Sequence, residues 1–132
     1  MIHGVGTDIL AAKRFGALEA DDPFIRRSYT VSERAQAAAR PDPNRYYLTR
    51  FAGKEAVFKA LGMDPEAARL DEIEILADEN GAPRVTLLGS MAAFAAGAGV
   101  TAVRVSLSWE TDYAVAFAVA ERKDPNTGVL PL

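Results

Sequence analysis

The longest helical pattern in the chain has a marked beginning and a marked end, and it constrains the fold more than any other segment. Asp42 can cap the start of a helix, and Pro43 suits the first turn, where its missing N–H removes no hydrogen bond. Gly62 provides a stop signal. A broad apolar side must be buried between these limits, and it is formed by Tyr47, Leu48, Phe51, Val57, Phe58 and Leu61.

Five shorter apolar segments predict the strands against which this helix packs. They cover residues 2–10, 73–77, 83–88, 101–109 and 113–121. Further helices are predicted over residues 11–20, 31–40 and 90–98. Thr30 begins a capping box, and Asn80-Gly81 predicts a hairpin turn. The sequence therefore predicts an α+β domain over residues 1–122, with an antiparallel sheet on one long helix, followed by a loose tail over residues 123–132.

Composition and charge exclude several classes of protein and of site. The 132 residues include no cysteine, which excludes disulfides and thiolate metal sites and fits a cytoplasmic location. His3 is the only histidine, so a metal would be held mainly by oxygen, as suits Mg²⁺, Ca²⁺ or Mn²⁺. The net charge of −3 argues against general nucleic-acid binding, and no apolar run is long enough to predict a membrane span.

Two acidic side chains are candidates for such a metal site. Glu55 shares a helix face with Phe51 and Lys59, because the three are spaced four residues apart. Asp8 follows two glycines on the first predicted strand, where another backbone or a ligand can approach closely. Both acids have plainer interpretations, a surface ion pair between Glu55 and Lys59 and a helix cap at Asp8. The spacing alone leaves open whether Asp8 and Glu55 meet in space.

Segments in a fixed order along the chain match a known enzyme family. They are Gly4-Val5-Gly6-Thr7-Asp8-Ile9, residues 50–62 (RFAGKEAVFKALG), Val105-Ser106-Leu107-Ser108 and Tyr113-Ala114-Val115-Ala116. On the basis of these segments, the chain resembles the holo-[acyl-carrier-protein] synthase family from about residue 2 to residue 121. The resemblance implies a 4′-phosphopantetheinyl transferase fold. It also implies transfer of 4′-phosphopantetheine from coenzyme A to a serine of an acyl carrier protein or carrier domain, with release of adenosine 3′,5′-bisphosphate.

The resemblance also implies roles for individual side chains. Asp8 and Glu55 would hold Mg²⁺ together with the diphosphate of coenzyme A. Lys59 would lie against the same phosphates, while Arg50 and Lys54 are further candidates for phosphate contacts, Arg50 for the 3′-phosphate. The carrier serine would attack the β-phosphate, and either Glu55 or a metal-bound water would accept its proton.

The resemblance also implies contacts with the adenine of coenzyme A and with the carrier protein, and the sequence departs from the family pattern at one position in each. Ser108 is followed by Trp109 where the family typically has histidine, so an aromatic ring is available to stack on adenine but an imidazole is not. Arg14, Phe24 and Arg27 fit the pattern that meets an acidic carrier helix, although a proline precedes Phe24 where a basic residue is common. Small members of the family form homotrimers with the active site between neighbouring subunits.

Two other functions remain open from the sequence. One is a carrier- or coenzyme A-binding module that has kept the fold and lost turnover, for which Trp109 is the argument. The other is a small oligomeric structural protein whose charged helix is merely solvated. The joint presence of Asp8, Glu55 and Lys59 favours the transferase.

Overall fold

One long helix, packed across a three-stranded antiparallel sheet, forms the centre of this computed structural model. The structure describes residues 1–16 and 18–124. In chain order its elements are β1 (Ile2–Ala11), α1 (Ala12–Phe15), α2 (Pro23–Ser28), α3 (Val31–Ala38), α4 (Pro43–Leu61), β2 (Ile73–Ala77), β3 (Pro83–Leu87), α5 (Gly89–Gly97), β4 (Val100–Trp109) and β5 (Tyr113–Arg122). Two short 3₁₀ turns, Pro65–Ala67 and Leu70–Glu72, connect α4 to β2.

The predicted α+β class is confirmed, and the structure adds the arrangement of the strands. They divide into two sheets rather than one, because β1, β5 and β4 pair in that order while β2 and β3 form a separate hairpin. The capping box at Thr30 is present, and Asp42 caps α4 as predicted. Among the described residues, no helix combines the length and the apolar character needed to cross a bilayer.

Two predicted segments differ from the structure or lie outside it. The helix predicted over residues 11–20 ends at Phe15, because Gly16 follows it with a positive φ of 70° and turns the chain away. The predicted tail begins at residue 123, directly after β5, but residues 125–132 lie outside the described residues. The tail therefore stays a prediction.

Small residues on the inner face of the sheet allow α4 to pack close to the strands. Four alanines of β5 point inward and are completely buried: Ala114, Ala116, Ala118 and Ala120. On α4 itself, a methyl group at Gly53 would collide with the side chains of Ile75 and Leu107. The helix is therefore held at a short distance from both sheets, and the position of each of its side chains relative to the strands is narrowly defined.

The outer face of the three-stranded sheet is apolar and exposed. Val5 and Ile9 on β1 pair with Val119 and Val115 on β5, and Thr7 pairs with Phe117. Ile9 is 65% exposed and Phe117 is 47% exposed, so the described part of the chain does not cover this face. A patch of this kind commonly marks a surface that another protein covers.

Candidate active site

Glycines on β1 bring the backbone of α4 into direct contact with the strand. Gly4, Gly6 and Asp8 alternate along β1 and share its inward side. A methyl group at Gly4 would overlap the carbonyl oxygen of Ala60, and one at Gly6 would overlap that of Ala56. Because β1 and α4 run in opposite directions at this contact, the next inward residue, Asp8, meets the preceding turn of the helix.

The side chains of Asp8 and Lys59 meet at this crossing, and Glu55, one turn before Lys59 on α4, lies close enough for the charges of both to shift its pKa. The Lys59 ammonium donates to the carbonyl oxygen of Thr7 at 3.0 Å and lies 3.3 Å from Oδ1 of Asp8. Burial raises the pKa of Glu55, the negative charge of Asp8 raises it further, and Lys59 partly offsets both effects. Two acids that are far apart in the sequence thus lie near each other. Lys59 forms its ion pair with Asp8 on β1 and not with Glu55.

These residues fit a hard divalent cation that shares its coordination with a substrate. Two carboxylates at one crossing supply oxygen ligands, and their mutual repulsion would be relieved by a bound cation. In residues 1–16 and 18–124 no group of three or more acidic or histidine side chains could hold a metal by itself. Mg²⁺ is commonly held by one or two carboxylates, with substrate phosphates and water completing its six positions. The donor set therefore matches Mg²⁺ bound with a phosphorylated substrate.

We expect Glu55→Gln to raise the melting temperature of the metal-free protein at neutral pH. Because the folded-state pKa of Glu55 lies above its ordinary value, the ionised side chain destabilises the fold at pH values above that pKa. The destabilisation disappears as the pH falls below the ordinary glutamate pKa, so the gain should vanish in acid. Thermal unfolding in the presence of a chelator, followed by circular dichroism across a pH series, measures it. A gain that grows toward acid would contradict the assigned direction of the shift.

Lys54 is buried and bonded to other parts of the fold, so the phosphate contact predicted for it is wrong. Its side chain and that of Glu33 are both completely buried, and Nζ of Lys54 lies 2.8 Å from Oε1 of Glu33. The ammonium also donates to the carbonyl oxygens of Leu70, at 2.7 Å, and Ile73, at 2.5 Å. Burial raises the pKa of Glu33 and lowers that of Lys54, and each charge counteracts the effect of burial on the other. With three acceptors in place, the ammonium has no hydrogen left for a ligand.

Arg50 and Trp109 line a cleft at the other end of α4. The cleft has a volume of about 220 Å³ and includes Arg40, Arg45 and Tyr46 among its walls. Cζ of Arg50 lies 4.1 Å from the ring centroid of Tyr46, and Nε of Arg50 is buried without a hydrogen-bond partner among the described residues. Three guanidinium groups line the cleft together with one carboxylate, that of Asp42, which lies 3.7 Å from Nε of Arg45, and the remaining positive charge favours an anionic ligand.

The residues that line this cleft differ from the sequence prediction at Tyr46, Arg45 and Ser108. Tyr46 was missed, although its four-residue spacing from Arg50 is the signal that could have found it. Cζ of Arg45 lies 5.4 Å from the ring of Trp109, which makes Arg45 a second cleft residue that the motif did not identify. Ser108, which the resemblance groups with Trp109 as a coenzyme A contact, is exposed and paired with Val115 on the outer face of the sheet, and it is not among the residues that line this cleft.

The residues predicted to contact a carrier lie on α1 and α2. Phe24 packs against Phe15 and Phe51, with ring centroids 5.6 Å away in both cases. Arg27 lies over the Phe24 ring at 5.8 Å, and Arg14 is exposed in the last turn of α1. Because Phe51 precedes Glu55 by one turn of α4, this aromatic cluster adjoins the acidic site.

Comparison with known proteins identifies the family. A model described as the 4′-phosphopantetheinyl transferase superfamily matches residues 4–118. The chain belongs to this superfamily. A holo-[acyl-carrier-protein] synthase from Desulforudis audaxviator (strain MP104C) is 42% identical over 122 residues, which cover 91% of this chain and 93% of the relative. The predicted family and its enzyme class are confirmed.

Solved structures agree with this assignment. The crystal structure of holo-[acyl-carrier-protein] synthase from Neisseria meningitidis has a TM-score of 0.83 at 34% identity, over 92% of this chain and 100% of that one. A holo-(acyl-carrier-protein) synthase from Bacillus anthracis str. Ames, in complex with CoA (3′,5′-ADP), has a TM-score of 0.73 at 29% identity, over 93% of this chain and 99% of that one. The predicted fold is therefore confirmed by both structures.

Proposed function

We propose that this chain transfers 4′-phosphopantetheine from coenzyme A to a serine hydroxyl of an acyl carrier protein or carrier domain. Adenosine 3′,5′-bisphosphate is the other product. The observation that carries the proposal is the convergence of Asp8, Glu55 and Lys59 at the crossing of β1 and α4, in a chain of this superfamily. The holo-carrier would serve fatty acid biosynthesis in the cytoplasm, a location that the absence of cysteine from the sequence fits.

Asp8 and Glu55 are the residues that would hold Mg²⁺. When bound, the ion supplies positive charge that neutralises the diphosphate as its bond breaks. Lys59 is 46% exposed at its side chain, so its ammonium can turn from Asp8 to a phosphate oxygen without leaving the site. Positioning and charge neutralisation account for most of the expected rate enhancement.

Glu55 is assigned as the proton acceptor. The serine oxygen forms a bond to the β-phosphorus, the bond from that phosphorus to the bridging oxygen breaks, and the leaving group departs as adenosine 3′,5′-bisphosphate. The serine proton passes to a carboxylate oxygen of Glu55. The adjacent carrier-docking helices would bring the serine to this carboxylate.

The nucleotide end of coenzyme A is assigned to the cleft of Arg50 and Trp109. Arg50 would bind the 3′-phosphate, and Trp109 would stack on adenine. Glu55 lies five positions after Arg50, so the two project about 140° apart around α4 and face different sides of the helix. One coenzyme A molecule would therefore reach the acidic site of one subunit and the cleft of a neighbour.

A homotrimer would provide this arrangement, and the exposed apolar sheet face supports it. We expect Phe117→Lys to dissociate the assembly, because it places a charge in the middle of that face, and to lower turnover by removing the neighbour's cleft. Size-exclusion chromatography with light scattering and a transfer assay measure both effects. Val31→Lys is the matched control, since Val31 is 73% exposed on α3, away from the sheet. A Phe117→Lys protein that remains a trimer with full activity would contradict the role of this face in assembly, and a fully active monomer would contradict the site shared between subunits.

Arg14, Phe24 and Arg27 are the proposed carrier contacts. We expect the double variant Arg14→Ala/Arg27→Ala to raise the KM for the carrier about tenfold and to weaken its dependence on salt. The kcat should change little because neither residue touches the acidic site. Steady-state kinetics at several salt concentrations test this, with Arg84→Ala in the β3 hairpin as a remote arginine control. An unchanged KM would place the docking surface elsewhere.

One assay separates the transferase from its alternatives. The protein is incubated with coenzyme A, Mg²⁺ and an apo carrier, and the carrier is then weighed by mass spectrometry. A gain equal to one phosphopantetheine group supports transfer. Binding of coenzyme A without a change in carrier mass would support a non-catalytic binding module, and absence of both would contradict the proposed function.

A further inference from the structure

We propose that the buried pair of Lys54 and Glu33 fixes the rotation of α4 and thereby the position of the Glu55 carboxylate. Lys54 is then a positioning residue for divalent-metal binding, one residue away from the group that it positions. The inference rests on the proposed function, because it concerns the same acidic site. Its experiment is designed so that either claim can fail without the other.

The pair fastens α4 to three neighbouring segments at a single point. Lys54 donates to Glu33 at the start of α3, to Leu70 in the second 3₁₀ turn and to Ile73 at the start of β2. Oε2 of Glu33 accepts the backbone N–H of Ile75 at 2.8 Å, so the same carboxylate also holds β2. Every hydrogen of the ammonium is thus used to connect α4 to the rest of the fold.

The contacts on the two sides of α4 act together as a clamp. Gly53, next to Lys54, packs against the side chains of Ile75 and Leu107 with no room for a methyl group. Gly6 of β1 presses against the helix backbone at Ala56, which lies about 160° around α4 from Lys54. Contacts on these two sides restrict rotation and sliding of α4, and Glu55 projects about 100° from each of them.

The required precision explains why such a clamp matters for a metal. A glutamate carboxylate projects roughly 6 Å from the helix axis, so a rotation of about 10° would move it by about 1 Å. Mg²⁺ accepts little deviation from octahedral geometry with bonds near 2.1 Å, so a displacement of that size weakens binding. Groups that orient metal ligands typically change metal affinity about 10- to 100-fold when they are removed.

A purely structural role for the pair predicts a different result. An apolar pair of similar volume often replaces a buried ion pair with little loss of stability. The double variant Lys54→Met/Glu33→Leu therefore retains apolar packing but removes the hydrogen bonds that orient α4. If the pair only stabilised the fold, a folded double variant would bind metal as the parent protein does.

The test measures Mn²⁺ binding and thermal stability in the same preparations. Mn²⁺ is titrated against the full chain in the presence of coenzyme A, whose diphosphate completes the proposed site, and free Mn²⁺ is measured by electron paramagnetic resonance after correction for Mn²⁺ bound by coenzyme A alone. We expect Lys54→Met/Glu33→Leu to melt below the parent protein, because backbone groups of Leu70, Ile73 and Ile75 lose their partners, and to bind Mn²⁺ at least about tenfold more weakly. The buried Met91→Ala in α5 is the control, because it should lower the melting temperature and leave Mn²⁺ affinity unchanged.

Parental Mn²⁺ affinity in the folded double variant would overturn the inference. If the double variant does not fold, Glu33→Gln serves instead: its amide can still accept from Lys54 but loses one of the two carboxylate acceptors. We expect it to weaken Mn²⁺ binding about twofold to fivefold, and unchanged affinity would again overturn the inference. A parent protein that neither binds Mn²⁺ nor modifies a carrier contradicts the proposed function itself. A parent that does both, with unaffected variants, contradicts only the positioning role.

Discussion

Glu55→Gln lowers the rate of phosphopantetheine transfer by at least about 10²- to 10³-fold at saturating Mg²⁺, because it removes both a metal ligand and the proposed proton acceptor. The substitution keeps the size of the side chain and leaves the contact between Lys59 and Asp8 in place. The loss should therefore appear in kcat while the protein remains folded. Single-turnover kinetics with coenzyme A and an apo carrier measure it directly.

Two comparisons make that result specific. Glu79→Gln, which removes an exposed carboxylate in the turn between β2 and β3, should leave transfer unchanged. The metal-free Glu55→Gln protein should also melt at a higher temperature than the parent protein, for the electrostatic reason given above. Near-normal turnover of Glu55→Gln would remove Glu55 from its assigned role.

Gly6→Ala destabilises the protein by about 3 kcal/mol and weakens metal binding at the same time. The added methyl group would overlap the carbonyl oxygen of Ala56 and also lie 2.8 Å from the backbone nitrogen of Ala60. Backbone atoms cannot turn aside, so α4 must move away from β1. That movement separates Glu55 from Asp8.

Gly97→Ala is the matched control for this substitution. Gly97 is the last residue of α5, and a methyl group there would meet no other described atom within 4 Å. We expect it to be neutral, or to stabilise by up to about 1 kcal/mol through the unfolded chain. Denaturant unfolding and Mn²⁺ titration of both variants give the comparison. A Gly6→Ala protein as stable as the parent would contradict the close contact between β1 and α4.

Local signals in the sequence predicted most elements of the fold, although they overextended the first helix beyond Phe15. Asp42, Pro43 and Gly62 defined both ends of α4, because capping, a permitted proline and a left-handed glycine act within a few residues. Alternation along β1 likewise placed Asp8 on the same side as Gly4 and Gly6. These signals are local, so they do not depend on the tertiary arrangement.

Contacts between distant segments were beyond the same reasoning. Helical spacing could not show that Glu55 meets Asp8, and only the family resemblance connected them. The family resemblance made Lys54 a candidate for phosphate contact together with Arg50, yet its acceptors come from α3, the 3₁₀ turn and β2. Burial of a charged side chain depends on such partners, which the sequence does not place near each other.

A crystal structure of the protein with Mn²⁺ and coenzyme A, in which anomalous scattering locates the ion, tests the proposed metal site. We expect one strong peak bonded to carboxylate oxygens of both Asp8 and Glu55 and to the diphosphate. An ion bound to the diphosphate with either carboxylate turned away from it would contradict the proposed site.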